Sequence, residues 1–426
     1  MASSGLMVFE PWYDGHHSTY LRYLVRYRQQ HPGGEPLILV LSSRYRERHG
    51  DLLALADGTA VQVKLMSAAE TEQLESLKER YYRARPGDPA AIPPLLAYEV
   101  ELFCQYASRL SPRRGLLMYL CIQRMAALLE TQLPCQFDGI FFNPTFHYGG
   151  CGLGDGSSTI KQVKEKFVLS RFLKHPRLRR LHCLDSYAVE AARKKMGSDK
   201  ITYLADPVEQ LGEQTAEAGR SLRRQLGVET GRRAFLLFGA LTRRKGIPQL
   251  LDSLEQLPPE SHRRLCLLLV GQPDPAEAEH YRQRLQALQQ RLPIQIISRF
   301  EFVPEESVAA YFAAADVVLA PYPRHVGMSG IVLWAAAAGR PLLGSEFGLM
   351  GRLTREHSLG MTVDARNPQA LAQGIETCLE QSADELFNQT QARQLIQQHS
   401  HESFCFSLLN DPMTDNVHSL TSHEAV

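Results

Sequence analysis

The sequence predicts an α/β protein composed of two Rossmann-like, doubly wound domains that face a central cleft. Short apolar runs alternate with longer stretches of helical period, which is typical of a parallel sheet joined by crossover helices. The alternation stops in the polar segment 208–233 and then restarts. A chain of 426 residues is also too long for one ordinary hydrophobic core.

The first half contains the pattern of a complete β-α domain, and residues 1–207 are expected to form it. Each predicted strand is an apolar run that ends at a polar, Gly or Pro position. Strands are predicted over 6–10, 36–41, 60–64, 139–143 and 200–204, and helices over 18–30, 70–84, 97–108 and 116–129.

The second half repeats this rhythm, and residues 208–385 are expected to form the second domain. A helix within 386–409 is expected to return to the first domain, and the polar tail 410–426 is expected to be disordered. Strands are predicted over 234–238, 265–270, 294–297, 317–320 and 341–344, and helices over 216–226, 247–255, 276–291, 307–314 and 331–338.

Composition narrows the functional classes. A formal net charge of +1 argues against a general nucleic-acid-binding protein, which carries a clear basic excess. The eight cysteines stand singly and several lie in apolar runs, so buried reduced thiols are expected and no metal site is predicted. The first residues do not resemble a secretory leader, and no apolar run is long enough to span a membrane. A cytoplasmic location is therefore expected.

The first candidate ligand-binding motif lies at a strand-to-helix junction. A predicted strand ends near Pro321, a Gly/Ser turn follows, and an Ala-rich helix begins. The free amides and the dipole of a helix N-terminus favour a phosphate group. An ordinary capped helix without a ligand would explain the same pattern. The predicted phosphate-binding residues are Gly327, Met328, Ser329, Gly330 and Ile331, with Ser329 also expected to cap the helix.

A second motif follows the predicted strand 234–238. Gly239 begins a turn, and the cations Arg243, Arg244 and Lys245 come shortly after it. Three cations at the carboxyl end of a strand suit the neutralisation of a diphosphate. The alternative is a solvated charge run, but two anion-suited motifs in one domain favour a ligand site.

These motifs, with Val270-Gly271 and Gly339-Arg340-Pro341, resemble the C-terminal domain of the retaining glycosyltransferases of family 4, which have the GT-B fold. The resemblance covers about 234–375 well and the first half loosely. It implies a nucleotide-diphosphate sugar as co-substrate, bound mainly by the C-terminal domain, a hydroxyl acceptor on the N-terminal side, anomeric retention, and no obligatory metal or other cofactor. Lys245 matches the donor-phosphate lysine of the family.

The chain departs from the family pattern at three positions. Ala240 stands where the family commonly has an arginine, and Arg244 is expected to replace that guanidinium. Val326 and Trp334 stand where the family has two glutamates. An indole only donates hydrogen bonds, so Trp334 cannot accept one from a nucleotide ribose. These departures indicate a divergent member with altered sugar contacts.

The first half offers two candidate segments for the cleft. Gly15, His16 and His17 follow the first predicted strand, where the family often has a glycine-rich loop beneath the sugar. Asn143 and His147 follow a later strand, and a histidine near the sugar is common there in the family. An N-capped helix with exposed histidines, and a structural loop histidine, are the respective alternatives.

The stretch 161–180 is basic, with apolar residues interleaved. Such a stretch either rests on an anionic membrane or is an ordinary surface helix. The first interpretation adds peripheral contact at the inner membrane face to the expected cytoplasmic location.

The sequence thus predicts a hexosyltransferase in which Arg244 and Lys245 stabilise the leaving diphosphate and His147 lies near the reacting groups. Two alternatives stay open. One is a catalytically silent GT-B protein that acts as a scaffold or partner. The other is a different GT-B enzyme, such as a nucleotide-sugar epimerase.

Overall fold

The structure is a computed structural model and describes residues 5–14, 17–83, 92–151, 153 and 159–410. It divides into two compact units. The first unit comprises Met1–His147, Ser157–Ala205 and His401–Val426, and the second comprises Tyr148–Gly156 and Asp206–Ser400. The predicted tail 410–426 lies, beyond Asn410, outside the described residues.

The first unit contains a seven-stranded sheet with the order β3-β2-β1-β4-β5-β6-β7, and its strands pair in parallel. The strands are β1 (Leu6–Glu10), β2 (Leu37–Leu41), β3 (Val61–Leu65), β4 (Arg114–Leu120), β5 (Gln136–Phe141), β6 (Leu178–Cys183) and β7 (Ile201–Tyr203). The helices are α1 (His17–Gln30), α2 (Tyr45–Arg48), α3 (Gly50–Ala56), α4 (Ala68–Arg83), α5 (Ile92–Leu110), α6 (Ile122–Leu129), α7 (Thr159–Leu173) and α8 (Ser186–Met196).

The second unit contains a six-stranded sheet with the order β10-β9-β8-β11-β12-β13, again paired in parallel. The strands are β8 (Arg233–Phe238), β9 (Leu265–Val270), β10 (Gln295–Arg299), β11 (Val317–Ala320), β12 (Leu342–Ser345) and β13 (Gly360–Val363). The helices are α9 (Glu213–Leu226), α10 (Ile247–Leu254), α11 (Pro259–Arg264), α12 (Ala278–Arg291), α13 (Glu305–Ala314), α14 (Gly330–Ala337), α15 (Gly348–Glu356), α16 (Pro368–Glu380), α17 (Ala383–Leu386) and α18 (Gln389–Gln398).

Strand β9 shows why these apolar runs fold as central strands. All six of its residues are buried. Alternate side chains belong to two different cores, with Cys266 and Leu268 in one and Leu267 and Leu269 in the other. A strand that is covered by helices on both faces needs apolar residues at every position, because successive side chains point to opposite faces. The prediction of two Rossmann-like doubly wound domains is confirmed by both sheets.

The predicted helix 116–129 is wrong over its first part. Residues 114–120 form the central strand β4, and the helix α6 begins only at Ile122. The run Gly115-Leu-Leu-Met-Tyr-Leu is uninterrupted and apolar, and periodicity cannot distinguish a fully buried strand from a buried helix.

The segment 386–409, predicted as one helix that returns to the first domain, is divided between the units. Helix α18 belongs to the second unit, and only the helix α19 (His401–Leu409) belongs to the first. There Phe404 packs on Tyr20, with ring centroids 4.7 Å apart. The buried Arg114 donates to the carbonyl oxygens of Leu408 at 3.2 Å and Leu409 at 3.0 Å.

Candidate functional site

The two predicted anion-binding motifs lie on neighbouring strands of the second sheet. The turn at Gly239 follows β8, and the Gly/Ser turn follows β11, which pairs with β8. The chain proceeds from β8 to β9 on one side and reaches β11 on the other. The two loops therefore flank the point at which the strand order reverses, where open α/β sheets bind ligands.

Two glycines allow these loops to pack against each other. Gly239 has φ +96° and Gly246 has φ +72°, both in the region that favours glycine. A Cβ at Gly246 would lie 2.0 Å from the carbonyl oxygen of Pro321. Any larger residue at Gly246 would force the two loops apart.

Lys245 is enclosed between these loops and is 4% exposed. Its Nζ donates to the carbonyl oxygen of Phe238 and, at 2.8 Å, to the hydroxyl of Tyr322. Burial, together with the charge of Arg244, lowers the pKa of Lys245 to about 7. Within the part of the chain that the structure describes, neither Arg244 nor Lys245 forms an ion pair with a carboxylate. The pair is thus a cationic site without an internal anion.

The Gly/Ser turn that precedes α14 is contacted by Tyr322. Its hydroxyl forms a hydrogen bond with the Ser329 side chain, and burial raises the pKa of Tyr322. Ser329 occupies the N-cap position of α14, but its side chain makes no capping hydrogen bond, so the predicted capping role is wrong. The amides of Gly330 and Ile331, in the first turn of α14, have no acceptor within the helix. They stay available to an anion.

Arg244 is positioned by His325, which the sequence did not identify as a site residue. The Arg244 Nη1 lies 3.0 Å from the His325 Nδ1, and the His325 Nε2 lies 3.2 Å from the carbonyl oxygen of Met328. A guanidinium only donates, so Nδ1 accepts and Nε2 carries the proton. Burial, with the charges of Arg244 and Lys245, lowers the pKa of His325 to about 4. The imidazole is therefore neutral at pH 7.

Gly327 is fixed by Tyr148, which lies 179 residues earlier in the chain. Gly327 has φ +89°, and its amide donates to the Tyr148 hydroxyl at 2.8 Å. Tyr148 is fully buried and its ring packs near Phe347. No local sequence signal connects Tyr148 with this turn, because only the tertiary fold brings them together.

Other predicted residues of the second unit lie at the margin of this site. The Arg243 Nε pairs with the Glu277 carboxylate at 2.9 Å, so Arg243 is drawn away from Arg244 and Lys245. The Met328 side chain is half-buried against the core. The Ile331 side chain packs there too, but its amide lies in the first turn of α14, at the site. Trp334 stacks on Phe312 with centroids 5.8 Å apart. The structure therefore brings together Gly239, Arg244, Lys245, Gly327, Ser329, Gly330 and Ile331.

In the first unit, His17 is bound to its own domain. Gly15 and His16 lie outside the described residues. The His17 Nδ1 is 2.7 Å from a carboxylate oxygen of the buried Glu10. Burial opposes the charged form, but the Glu10 carboxylate outweighs it and raises the pKa of His17 above its usual range. The role of His17 toward a ligand stays a prediction.

Asn143 and His147 lie in the segment that follows β5, in different surroundings, and their roles toward a ligand stay predictions. Asn143 is exposed and has φ +53°, a conformation that asparagine tolerates better than most residues. His147 is fully buried, and its Nε2 is 3.0 Å from an oxygen of Asp185. Asp185 in turn accepts the Tyr187 and Ala188 amides at the start of α8. His147 is thus enclosed within the first unit, and contact with a substrate would require rearrangement.

Among the described residues, no group of three or more His, Cys, Asp or Glu side chains is placed to hold a metal ion. The same part of the chain contains no helix with the length and apolar character needed to cross a membrane. The seven cysteines whose side chains are described are free thiols.

Residues 232–381, which include both loops of the site, match the family Glycosyl transferases group 1. This part of the chain is a group 1 glycosyl transferase domain. A curated relative of this glycosyl transferase domain is the D-inositol 3-phosphate glycosyltransferase of Corynebacterium urealyticum, which is 29% identical over 180 residues. An uncharacterized glycosyltransferase of Methanocaldococcus jannaschii is 26% identical over 160 residues. The first match covers 41% of this chain and 41% of the Corynebacterium protein. The second covers 37% of this chain and 39% of the Methanocaldococcus protein.

Solved structures extend the likeness in fold beyond the glycosyl transferase domain. Sucrose-phosphate synthase from Thermosynechococcus elongatus has a TM-score of 0.66 at 17% identity, and the match covers 98% of this chain and 99% of that one. HepE from Anabaena, in complex with UDP and glucose, has a TM-score of 0.57 at 14% identity, with coverage of 98% and 100%. At these identities the likeness shows the fold alone, and the expected GT-B fold is confirmed.

Proposed function

We propose that the chain transfers a hexosyl group from a nucleotide-diphosphate sugar to a hydroxyl acceptor with retention of anomeric configuration. The observation that carries the proposal is the cationic pair Arg244 and Lys245, which faces a helix N-terminus at the strand-order reversal of a glycosyl transferase domain. Relatives support it through their names, since one is an inositol-phosphate glycosyltransferase and a structural neighbour was solved with UDP-glucose.

In the proposed reaction, the bond between the anomeric carbon and the diphosphate oxygen breaks. A bond between that carbon and the acceptor oxygen forms on the same face of the sugar. The acceptor proton passes to the departing diphosphate, so no side chain is assigned as the base. Arg244 and the protonated Lys245 stabilise the charge that develops on the leaving group, and the amides of Gly330 and Ile331 donate to it. No metal or other cofactor is assigned a role.

Lys245 is poised for this task because its environment changes on binding. In the unliganded protein it is buried beside the charged Arg244, and burial and this like charge both disfavour the ammonium form. A diphosphate beside it would supply the missing negative charge and restore that form. His325 supports the same site because its neutral ring holds Arg244 without competing for the anion.

A nucleotide-binding protein without transferase activity is the second candidate, and Val326 and Trp334 favour it. Both stand where the family has carboxylates, and Trp334 is stacked on Phe312. Such a protein would bind the donor nucleotide through Arg244 and Lys245 as proposed above. It would leave the sugar attached in the presence of every acceptor tried.

Calorimetric titration with UDP, GDP, ADP and their glucose or mannose conjugates tests the binding site. We expect Arg244→Ala and Lys245→Ala each to weaken binding of the preferred nucleotide at least about tenfold, since each removes a charge-assisted contact. Arg291→Ala is the matched control. Arg291 ends α12 and precedes β10, so it lies at the amino ends of the strands, whereas the candidate site lies at their carboxyl ends. It pairs with Glu255. Binding that neither site variant weakens would refute the assignment.

Transfer is tested separately with the nucleotide sugar that binds most tightly. Nucleotide release in the presence of glycan, lipid-linked and small-molecule hydroxyl acceptors would support the enzyme, and the anomeric configuration of the product tests retention. Tight binding without release across these acceptors would favour the silent protein.

The proposed location is the cytoplasm. The free thiols support it, because disulfides form in oxidising compartments.

A further inference from the structure

Helix α7 presents an apolar stripe to solvent. Ile160, Val163 and Phe167 are 83%, 59% and 61% exposed. Their spacing of three and four residues places them on one helix face. They make up half of the six large hydrophobic side chains that are exposed in the described part of the chain. Exposed large apolar side chains are thus concentrated on one helix face, and a cluster of this kind is a candidate contact surface.

The opposite face of α7 holds the helix on its domain. Leu169, Phe172 and Leu173 are almost fully buried and belong to the core of the first unit. The helix therefore cannot turn its exposed stripe inward without losing this packing. The stripe is a stable feature of the surface.

The surroundings of the stripe are cationic. Lys161, Lys164 and Arg171 are exposed beside it, and the Arg171 guanidinium lies 5.8 Å from the Phe167 ring centroid. The single carboxylate between residues 159 and 180 is Glu165. It is buried and turned inward, where its Oε1 accepts the Thr145 amide at 2.8 Å. The exposed face of α7 therefore combines apolar and positive groups and carries no negative charge.

We propose that α7 docks on an anionic lipid surface, with Ile160, Val163 and Phe167 entering the boundary between headgroups and acyl chains. Lys164 and Arg171 would extend along that boundary, with their alkyl stems against the apolar groups and their charges at the lipid phosphates. An amphipathic surface helix with basic residues beside its apolar face fits this partner. The proposal does not depend on glycosyl transfer.

A nucleic-acid partner fits this face less well, because aliphatic side chains such as Ile160 and Val163 give a nucleic acid neither stacking nor hydrogen bonds.

The docking surface is shorter than the basic stretch 161–180 of the sequence. The structure ends α7 at Leu173 and begins β6 at Leu178. Arg179 and Arg180 therefore lie in β6, and Arg177 lies directly before it.

Cosedimentation of the full chain with vesicles tests the proposal. One set contains phosphatidylcholine alone, and the other contains about 30% phosphatidylglycerol. We expect binding to the anionic vesicles, little binding to the neutral ones, and loss of binding as salt rises from about 0.1 M to about 0.5 M. Failure to bind the anionic vesicles at low salt would overturn the proposal.

Two variants separate the apolar and electrostatic contributions. The triple variant Ile160→Ser, Val163→Ser, Phe167→Ser should weaken binding at least about tenfold. Lys164→Gln with Arg171→Gln should weaken it about twentyfold or more, at roughly fivefold for each cation. Circular dichroism checks that both variants fold, as the exposure of these side chains leads us to expect.

The matched controls lie away from α7. Phe302 is 77% exposed, so Phe302→Ser removes a comparable apolar group. Arg220→Gln with Arg224→Gln removes two exposed charges from α9. Both controls should bind vesicles within about twofold of the parent protein. Equal losses in the α7 variants and in the controls would refute a dedicated docking face.

The variant Phe167→Trp reports the depth of contact. We expect its fluorescence to shift to shorter wavelength with anionic vesicles and to be quenched by lipids that carry a quencher high in the acyl chain. Binding without that shift would limit the contact to charge attraction and overturn the insertion. Self-association or RNA binding that the triple variant abolishes, without vesicle binding, would assign the face to another partner.

Discussion

The depressed pKa of Lys245 gives the proposed donor site a pH dependence that can be calculated. The ammonium pKa falls from its ordinary 10.5 to about 7 in the unliganded protein, whereas a bound diphosphate favours the charged form. Binding above pH 7 therefore requires uptake of a proton. Each pH unit above 7 costs about 1.4 kcal/mol, or about tenfold in affinity.

For the nucleotide-diphosphate sugar that binds most tightly, whose phosphates keep a constant charge, this linkage predicts a fall in affinity of about 25-fold between pH 6.5 and pH 8.5. Calorimetric titration in two buffers of different ionisation enthalpy should give uptake of about 0.9 proton per ligand at pH 8. The free energy of unfolding of the unliganded protein depends on pH with the opposite sign to the ligand affinity. In the unliganded protein the unfolded chain takes up the proton first, so stability falls as pH decreases from 10.5 toward 7 and the ligand offsets this loss.

Two variants isolate Lys245 from every other titrating group. Lys245→Arg keeps its charge over the whole range, so its affinity for the same nucleotide sugar should not change with pH. Lys245→Met has no charge, and its affinity should be weak and equally flat. A wild-type affinity that is constant between pH 6.5 and 8.5, without proton uptake, would refute the argument.

Three substitutions test packing. Tyr148→Phe leaves the Gly327 amide without its acceptor and should lower the free energy of unfolding by about 1–3 kcal/mol in urea titration; an unchanged midpoint would exclude this role. Arg114→Met removes the cation that pairs with the buried Asp138 carboxylate at 2.5 Å and should cost about 3–5 kcal/mol by chemical denaturation, whereas a loss below about 1 kcal/mol would contradict a tightly held pair. Gly246→Ala should cost more than about 1 kcal/mol, while Gly33→Ala, where a Cβ meets open space, should change Tm little; equal Tm values would contradict the steric argument.

The strands β1, β9 and β11 have the bounds that the sequence predicts, because each is a short apolar run closed by a residue that interrupts it. Strand β6 was not predicted. Its sequence Leu178-Arg-Arg-Leu-His-Cys contains two arginines, which hide the apolar signal. Strands joined by crossover helices pair in parallel with right-handed connections. The fold class could therefore be predicted from only some of the strands.

The candidate site was predictable in its loops and unpredictable in its contacts. Gly239, Lys245 and the 327–331 turn were assigned because strand ends and helix starts have local signatures. The roles of Tyr322 and His325 depend on side chains that meet across two loops, which spacing does not encode. The same kind of local signal, a histidine after a strand, suggested His147, but it did not predict the Asp185 carboxylate 3.0 Å from the ring.

The return of α19 to the first unit affects how the chain folds during its synthesis. Arg114 and its acceptor Leu408 are 294 residues apart. At usual translation rates of about 5–20 residues per second, roughly 15–60 s separate their emergence from the ribosome. During that interval Tyr20 lacks its Phe404 cover and a buried guanidinium lacks two of its acceptors. The domain that is translated first is therefore completed last, and a chaperone that shields nascent apolar surface would act on it for longer than on the second.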